Sequence, residues 1–183
     1  MAYIPSASWS GSSRICTDSH LLSRLRKLVD HLKWADAAAL EALRTSPGSD
    51  ARALTIYAHS LGAEAVWLAR LAGRRPDVAV WPVLSLDEAA SLAARNADEL
   101  DAYLASLGPE DLGREIDYRN SAGVELRSTI EDILLHMVLH ASYHRGQVTL
   151  LIRTGGGEPA STDFIAFVRG VPAARTVPPT PVA

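Results

Sequence analysis

Residues 128–157 read STIEDILLHMVLHASYHRGQVTLLIRTGGG. Ser128 followed by Glu131 has the spacing of a helix capping box, and Gly155-Gly156-Gly157 ends the apolar pattern. The segment between them reads as one long helix. It is built mostly of Leu, Val and Met, yet it carries His136, His140 and His144 at an even spacing of four. The triple glycine is no phosphate loop, because no helix begins after it and no Lys-Ser or Lys-Thr follows.

Three further helices lie upstream. TDSHLLSRLRKLVDHLKWADAAALEALRTSPG (17–48) has Asp18 or Ser19 as cap, with Leu21, Leu22, Leu25, Leu28, Val29 and Leu32 at helical spacing. DARALTIYAHSLGAEAVWLARLAG (50–73) has Asp50 as cap and Gly73 just past its end. SLDEAASLAARNADELDAYLASLG (85–108) opens on a Ser85/Glu88 capping box and stops at Gly108-Pro109. Between the third and fourth helices, Glu115–Arg119 and Val124–Arg127 flank NSAG and read as a short hairpin. TDFIAFVRG (162–170) is a short apolar segment suited to packing across one end. The pattern predicts an all-α fold, an antiparallel four-helix bundle with a short hairpin before helix 4. Residues 1–17 are Ser-rich and read as a flexible arm, 18–170 as the bundle domain, and 171–183 as a disordered Pro- and Val-rich tail.

The 183-residue chain is 48% hydrophobic and 21% charged, the balance of a globular domain. A formal net charge of −3 gives no electrostatic reason to expect nucleic acid or an anionic membrane as partner. Cys16 is the single cysteine, so no intrachain disulfide forms. No apolar run approaches the ~20 residues of a membrane span, and the N-terminus lacks a secretory pattern. A cytoplasmic location is expected.

The histidine row admits two explanations. Imidazoles on inward faces are either hydrogen-bonded core side chains or metal ligands. Residues i and i+4 lie ~6 Å apart along a helix, so one neighbouring pair can grip an ion. All three cannot: His136 and His144 are separated by ~12 Å of rise, against metal–nitrogen bonds of about 2.0–2.1 Å. On spacing alone, His136 with His140 and His140 with His144 are equally good pairs. A third ligand must come from elsewhere. His20 opens helix 1 and is expected in solvent, and His31 sits on a mixed face. His59 lies on an inward stripe with Ile56, Ala63 and Val66. Burying several imidazoles without partners costs about 1–3 kcal/mol each, which a shared ion would offset.

HMVLHASYHRGQV (136–148) resembles the signature of the DinB/YfiT-like superfamily of bacterial metal-binding four-helix bundles. DHLKWAD (30–36) is similar to that family's first helix. LTIYAHSLGAEAVWLARLAG, with Trp67 eight residues after His59, is similar to its second. The similarity runs from about residue 20 to about 170. The resemblance implies three histidine ligands to a divalent metal, one from helix 2 and two from helix 4. By position these are His59, His140 and His144. His136 falls outside that set and is assigned to the pocket lining or to the support of a ligand. Gly146 is expected to admit a neighbouring backbone. Arg145 and Gln147 are expected to tie down the helix end.

Three imidazoles with an open fourth position make a catalytic type of metal site, and zinc and nickel are the metals expected. Position 141 is Ala, so this is not His-Glu-x-x-His protease chemistry. Two functions follow. One is a metal-dependent thiol S-transferase, isomerase or hydrolase acting on a small electrophilic substrate. The resemblance implies a low-molecular-weight thiol such as mycothiol, bacillithiol or glutathione for that activity. The other is a non-catalytic stress-response protein in which the ion is structural. A homodimer is also expected, from the resemblance and from an apolar surplus on helices 1 and 2 that includes Trp34 and Trp67. Trp9 and Trp81 carry no assignable role.

Overall fold

The computed structural model describes residues 11–46, 48, 51–120 and 122–172, with side chains from Ser19 onward. The fold is mostly helical. Four long helices, α1 (Gly11–Thr45), α2 (Ala51–Leu71), α3 (Leu86–Ala105) and α4 (Ile130–Thr154), form its body. A 3-10 turn (Pro109–Gly113) and the strands β1 (Glu115–Arg119) and β2 (Glu125–Thr129) lie between α3 and α4. A short α5 (Phe164–Val168) follows. α1 packs against α3 and α4, and α2 packs against the same two, most extensively against α4.

α1 is helical from Gly11, upstream of the Asp18/Ser19 cap expected from the sequence. The part of the expected arm before Gly11, the Asp50 cap and the C-terminal tail from residue 173 fall outside the described residues. Ser85 caps α3 as predicted: its Oγ accepts from Glu88 N at 3.3 Å, and its own N–H donates to Glu88 Oε2 at 2.7 Å. The α4 cap is displaced by one residue from the predicted Ser128. Thr129 Oγ1 accepts from Asp132 N at 3.1 Å. Ser128 is instead held in the hairpin, where it pairs with Ile116 and its Oγ lies 3.2 Å from Tyr118 Oη. Strand pairing thus claims the serine and leaves the next hydroxyl to cap the helix. The hairpin is antiparallel with Glu115 opposite Thr129 and Arg119 opposite Glu125. Its turn is closed by Asn120 Oδ1, which accepts from Ala122 N and Val124 N.

The core has two apolar clusters. One centres on Leu25, Leu32, Leu100, Ile133 and Leu134, the other on Leu43, Tyr57, Leu61, Leu92 and Ile152. Between them lies a polar layer to which each long helix contributes: Asp36 from α1, Glu64 from α2, Asn96 from α3 and Arg145 from α4, all 2–4% exposed. Arg145 Nη1 donates to Asp36 Oδ1 at 3.0 Å. Asn96 Nδ2 donates to Leu61 O at 2.9 Å and to Glu64 Oε2 at 3.3 Å. Tyr57 Oη donates to the Asp36 carbonyl at 3.0 Å. Burial, then the neighbouring Asp36, pushes the Glu64 carboxyl well above its ordinary range. Glu64 Oε1 is buried without a hydrogen-bond partner, so a proton on this carboxyl removes a charge that Asp36 would repel.

Candidate metal centre

α2 and α4 face each other where their sequences carry imidazoles. His59 comes from α2, and His140 and His144 stand one turn apart on α4. One ligand nitrogen from each of the three lies within 4.8 Å of the others. His140 Nε2 and His144 Nε2 are 3.1 Å apart. The His59 ring centroid is 5.2 Å from that of His140 and 4.6 Å from that of His144.

The outer nitrogens are already committed. His59 Nδ1 donates to Val80 O at 2.9 Å. His144 Nδ1 donates to Gln147 Oε1 at 2.7 Å. Each bond fixes a tautomer and turns Nε2, with its lone pair, toward the other rings. Burial pushes the His140 imidazolium down to about 4, with His144, His59 and His136 adding to it in that order. Burial also lowers His59. Neutral imidazole is the form that binds a metal. One nitrogen from each of three rings, gathered at one point, fits a cation. Tetrahedral coordination at about 2.0–2.1 Å sets ligand nitrogens about 3.3 Å apart, close to the His140–His144 spacing. Among the described residues no carboxylate or cysteine joins the three histidines in this group.

His136 lies outside the trio, exposed, with its ring 5.4 Å from His140 and 5.3 Å from Trp67. Its place is beside the centre, on the wall that leads away from it. His20 is exposed. His31 is a buried core histidine: its Nε2 donates to Thr162 O at 2.8 Å, and Trp34, Phe164 and Phe167 surround the ring.

Several residues of the centre escaped the sequence reading. Trp81 stacks on His59 with ring centroids 3.7 Å apart and planes 10° from parallel. It sits in the loop between α2 and α3, whose fold is set by Gly62. A Cβ at Gly62 would stand 2.6 Å from Ala79 O and 2.7 Å from Pro82 Cδ. Only a glycine there lets the loop cross α2 closely enough for Val80 O and Trp81 to reach His59. Gly146, expected to admit a backbone, would meet nothing within 4 Å and has no such role. Gln147 orients His144 rather than tying down the helix end. Arg145 points to the other side of α4, into the polar layer. A Pro-flanked Trp in a short loop was the one sequence signal for the missed cover.

The chain is mostly helical and gathers, between two helices, three imidazoles that could hold a cation. The sequence model of the DinB family matches residues 20–175, and the chain belongs to that family. It is also 33% identical over 55 residues to Protein DinB of Bacillus subtilis (strain 168). That match covers 30% of this chain and 32% of the relative.

Proposed function

We propose that the protein binds a divalent metal, zinc or nickel, through His59, His140 and His144, and uses it in a thiol-dependent S-transfer or isomerisation on a small electrophile. The four long helices are taken to form an antiparallel four-helix bundle, a usual frame for a metal centre between facing helices. The observation that carries the reading is the convergence of one ring nitrogen from each of the three histidines, with the Nδ1 atoms of His59 and His144 held by Val80 O and Gln147.

A bound ion of this kind would lower the pKa of a thiol or water at its free position. The protein's own part is to favour the neutral form of His59 and His140 by burial, to fix the tautomers of His59 and His144, and to cover His59 with Trp81. A structural ion without turnover is the second reading. It is favoured by the lack of a carboxylate base beside the trio among the described residues.

Elemental analysis of protein purified without a metal-affinity tag tests the metal. Stoichiometric zinc or nickel is expected, and its absence under metal-replete growth overturns the proposal. Conjugation assays with a panel of thiols and electrophiles then separate the enzyme from the structural reading.

The proposal extends to a homodimer, though not on the surface first expected. Trp34 packs on His31 and Phe167, and Trp67 on Tyr118 and His136, within the same chain. The exposed apolar stripe is on α4: Leu139 at 67%, Tyr143 at 66% and Leu150 at 57% exposure. Light scattering should give a dimer that Leu139→Glu with Leu150→Glu dissociates.

A further inference from the structure

The wall that runs from the histidine trio along α2 ends at the Arg70 guanidinium. Trp67 lies two turns, about 12 Å, along α2 from His59. Its ring meets His136 at 5.3 Å and Tyr118 of β1 at 5.0 Å. The Arg70 guanidinium sits over Trp67 at 4.4 Å and over Tyr118 at 4.8 Å. One of its donors, Nη2, bonds to Arg119 O at 3.0 Å. Among the described residues no carboxylate pairs with it.

Other arginines nearby are neutralised. Arg74 pairs with Glu99, Arg119 with Glu125, and Arg127 with Asp117 and Glu115. Those four pairs lie on the surface, where such contacts contribute little. Arg70 is half-buried, held in place by two aromatic faces and a carbonyl, and keeps donors in reserve. Partial burial pulls its pKa down, against which only the Tyr118 hydroxyl acts. A guanidinium fixed in this way has lost much of its side-chain freedom already, and its remaining N–H groups match a carboxylate.

We infer that Arg70, with Trp67 and Tyr118, forms an anion subsite that receives a carboxylate of a ligand whose other end lies at the histidine trio. The inference rests on the metal reading above and names the ligand class: an extended, carboxylate-bearing molecule long enough to reach from the trio past Trp67, a rise of about 12 Å, to Arg70. His136 and Trp67 line the stretch between the two ends and offer ring faces to its middle. A neutral ligand of the same length would leave the Arg70 charge uncompensated.

The test uses ω-mercaptoalkanoates of increasing chain length and their amides. Binding to the cobalt-substituted protein is read from the sulfur-to-cobalt charge-transfer band. The wild type should prefer acid over amide by at least about tenfold, with the preference peaking at one chain length. Arg70→Met should erase the preference while cobalt stoichiometry and the band itself persist, and Arg70→Lys should restore part of it. Equal affinities for acid and amide in the wild type, or a preference unchanged in Arg70→Met, would overturn the subsite. If no thiol gives a band in the wild type, the metal–thiol reading fails by itself. The subsite is then decided by calorimetry of simple alkanoates on metal-free protein. Weaker binding to Arg70→Met supports it, and no difference overturns it.

Discussion

Two polar clusters lie back to back on α4, and adjacent residues feed them. His144 faces the trio with His59 and His140. Arg145 faces Asp36, Glu64 and Asn96. Both clusters remove polar groups from water, but they close differently. In the polar layer, donors meet acceptors at all but Arg145 Nε and Glu64 Oε1: the guanidinium meets a carboxylate, an amide meets a carbonyl, and one proton is kept where two carboxyls would otherwise repel. In the trio, the outer nitrogens of His59 and His144 are bonded to Val80 O and Gln147 Oε1, and one nitrogen from each ring converges on the others. A buried cluster that neutralises itself holds a fold together. One that gathers a ligand nitrogen from each of three rings at one point is shaped for something from outside.

The comparison breaks most directly at His144. His144→Ala should abolish stoichiometric metal, by elemental analysis, while leaving the helical content intact. It should also remove the stabilisation that bound metal provides, about 2.7 kcal/mol when free metal stands at 100 times its dissociation constant. Full retention of metal would show that the trio is not the centre.

Arg145→Met strikes the other cluster. It leaves Asp36 buried without its partner, and loss of one member of a buried pair costs about 3–5 kcal/mol. Urea denaturation of the metal-free protein should show that loss. Metal stoichiometry of the folded fraction should be unchanged. A variant that kept its stability but lost its metal would merge the two clusters into one functional unit.

Gln147→Leu sharpens the picture of the trio. It removes the acceptor that fixes the His144 tautomer, and losses at such supporting positions are typically about 10–100-fold in metal affinity. Competition with a chromophoric chelator would measure it, and an affinity within twofold of wild type would remove Gln147 from the centre.

The smallest effect is in pH dependence. Glu64 keeps its proton in the folded protein above the ordinary value of 4.5, whereas the unfolded chain releases it there. Its contribution to stability is therefore full below pH 4.5 and declines as pH rises through the higher folded value. Glu64→Gln carries no such proton and should flatten that decline in urea-denaturation midpoints taken across neutral and alkaline pH. An identical slope in both proteins would mean that Glu64 is ionised in the fold.

The sequence by itself determined that this chain is helical and where its long helices lie, because apolar spacing, capping pairs and glycine stops are local features. It determined that His59 and the α4 row were the residues to watch, and the resemblance narrowed the row to His140 and His144. Spacing could not choose within the row, because every i, i+4 pair on a helix is geometrically the same. Tertiary packing made that choice by setting His59 opposite the lower pair and Trp67 opposite His136. Packing alone also decided which side of α4 each polar residue serves, the one-residue shift of the α4 cap from Ser128 to Thr129, and the cover that Val80 and Trp81 place on His59. Those depend on backbone groups and on a close approach at Gly62, and a carbonyl oxygen or an absent Cβ gives no signal until the chain that meets it has folded against it.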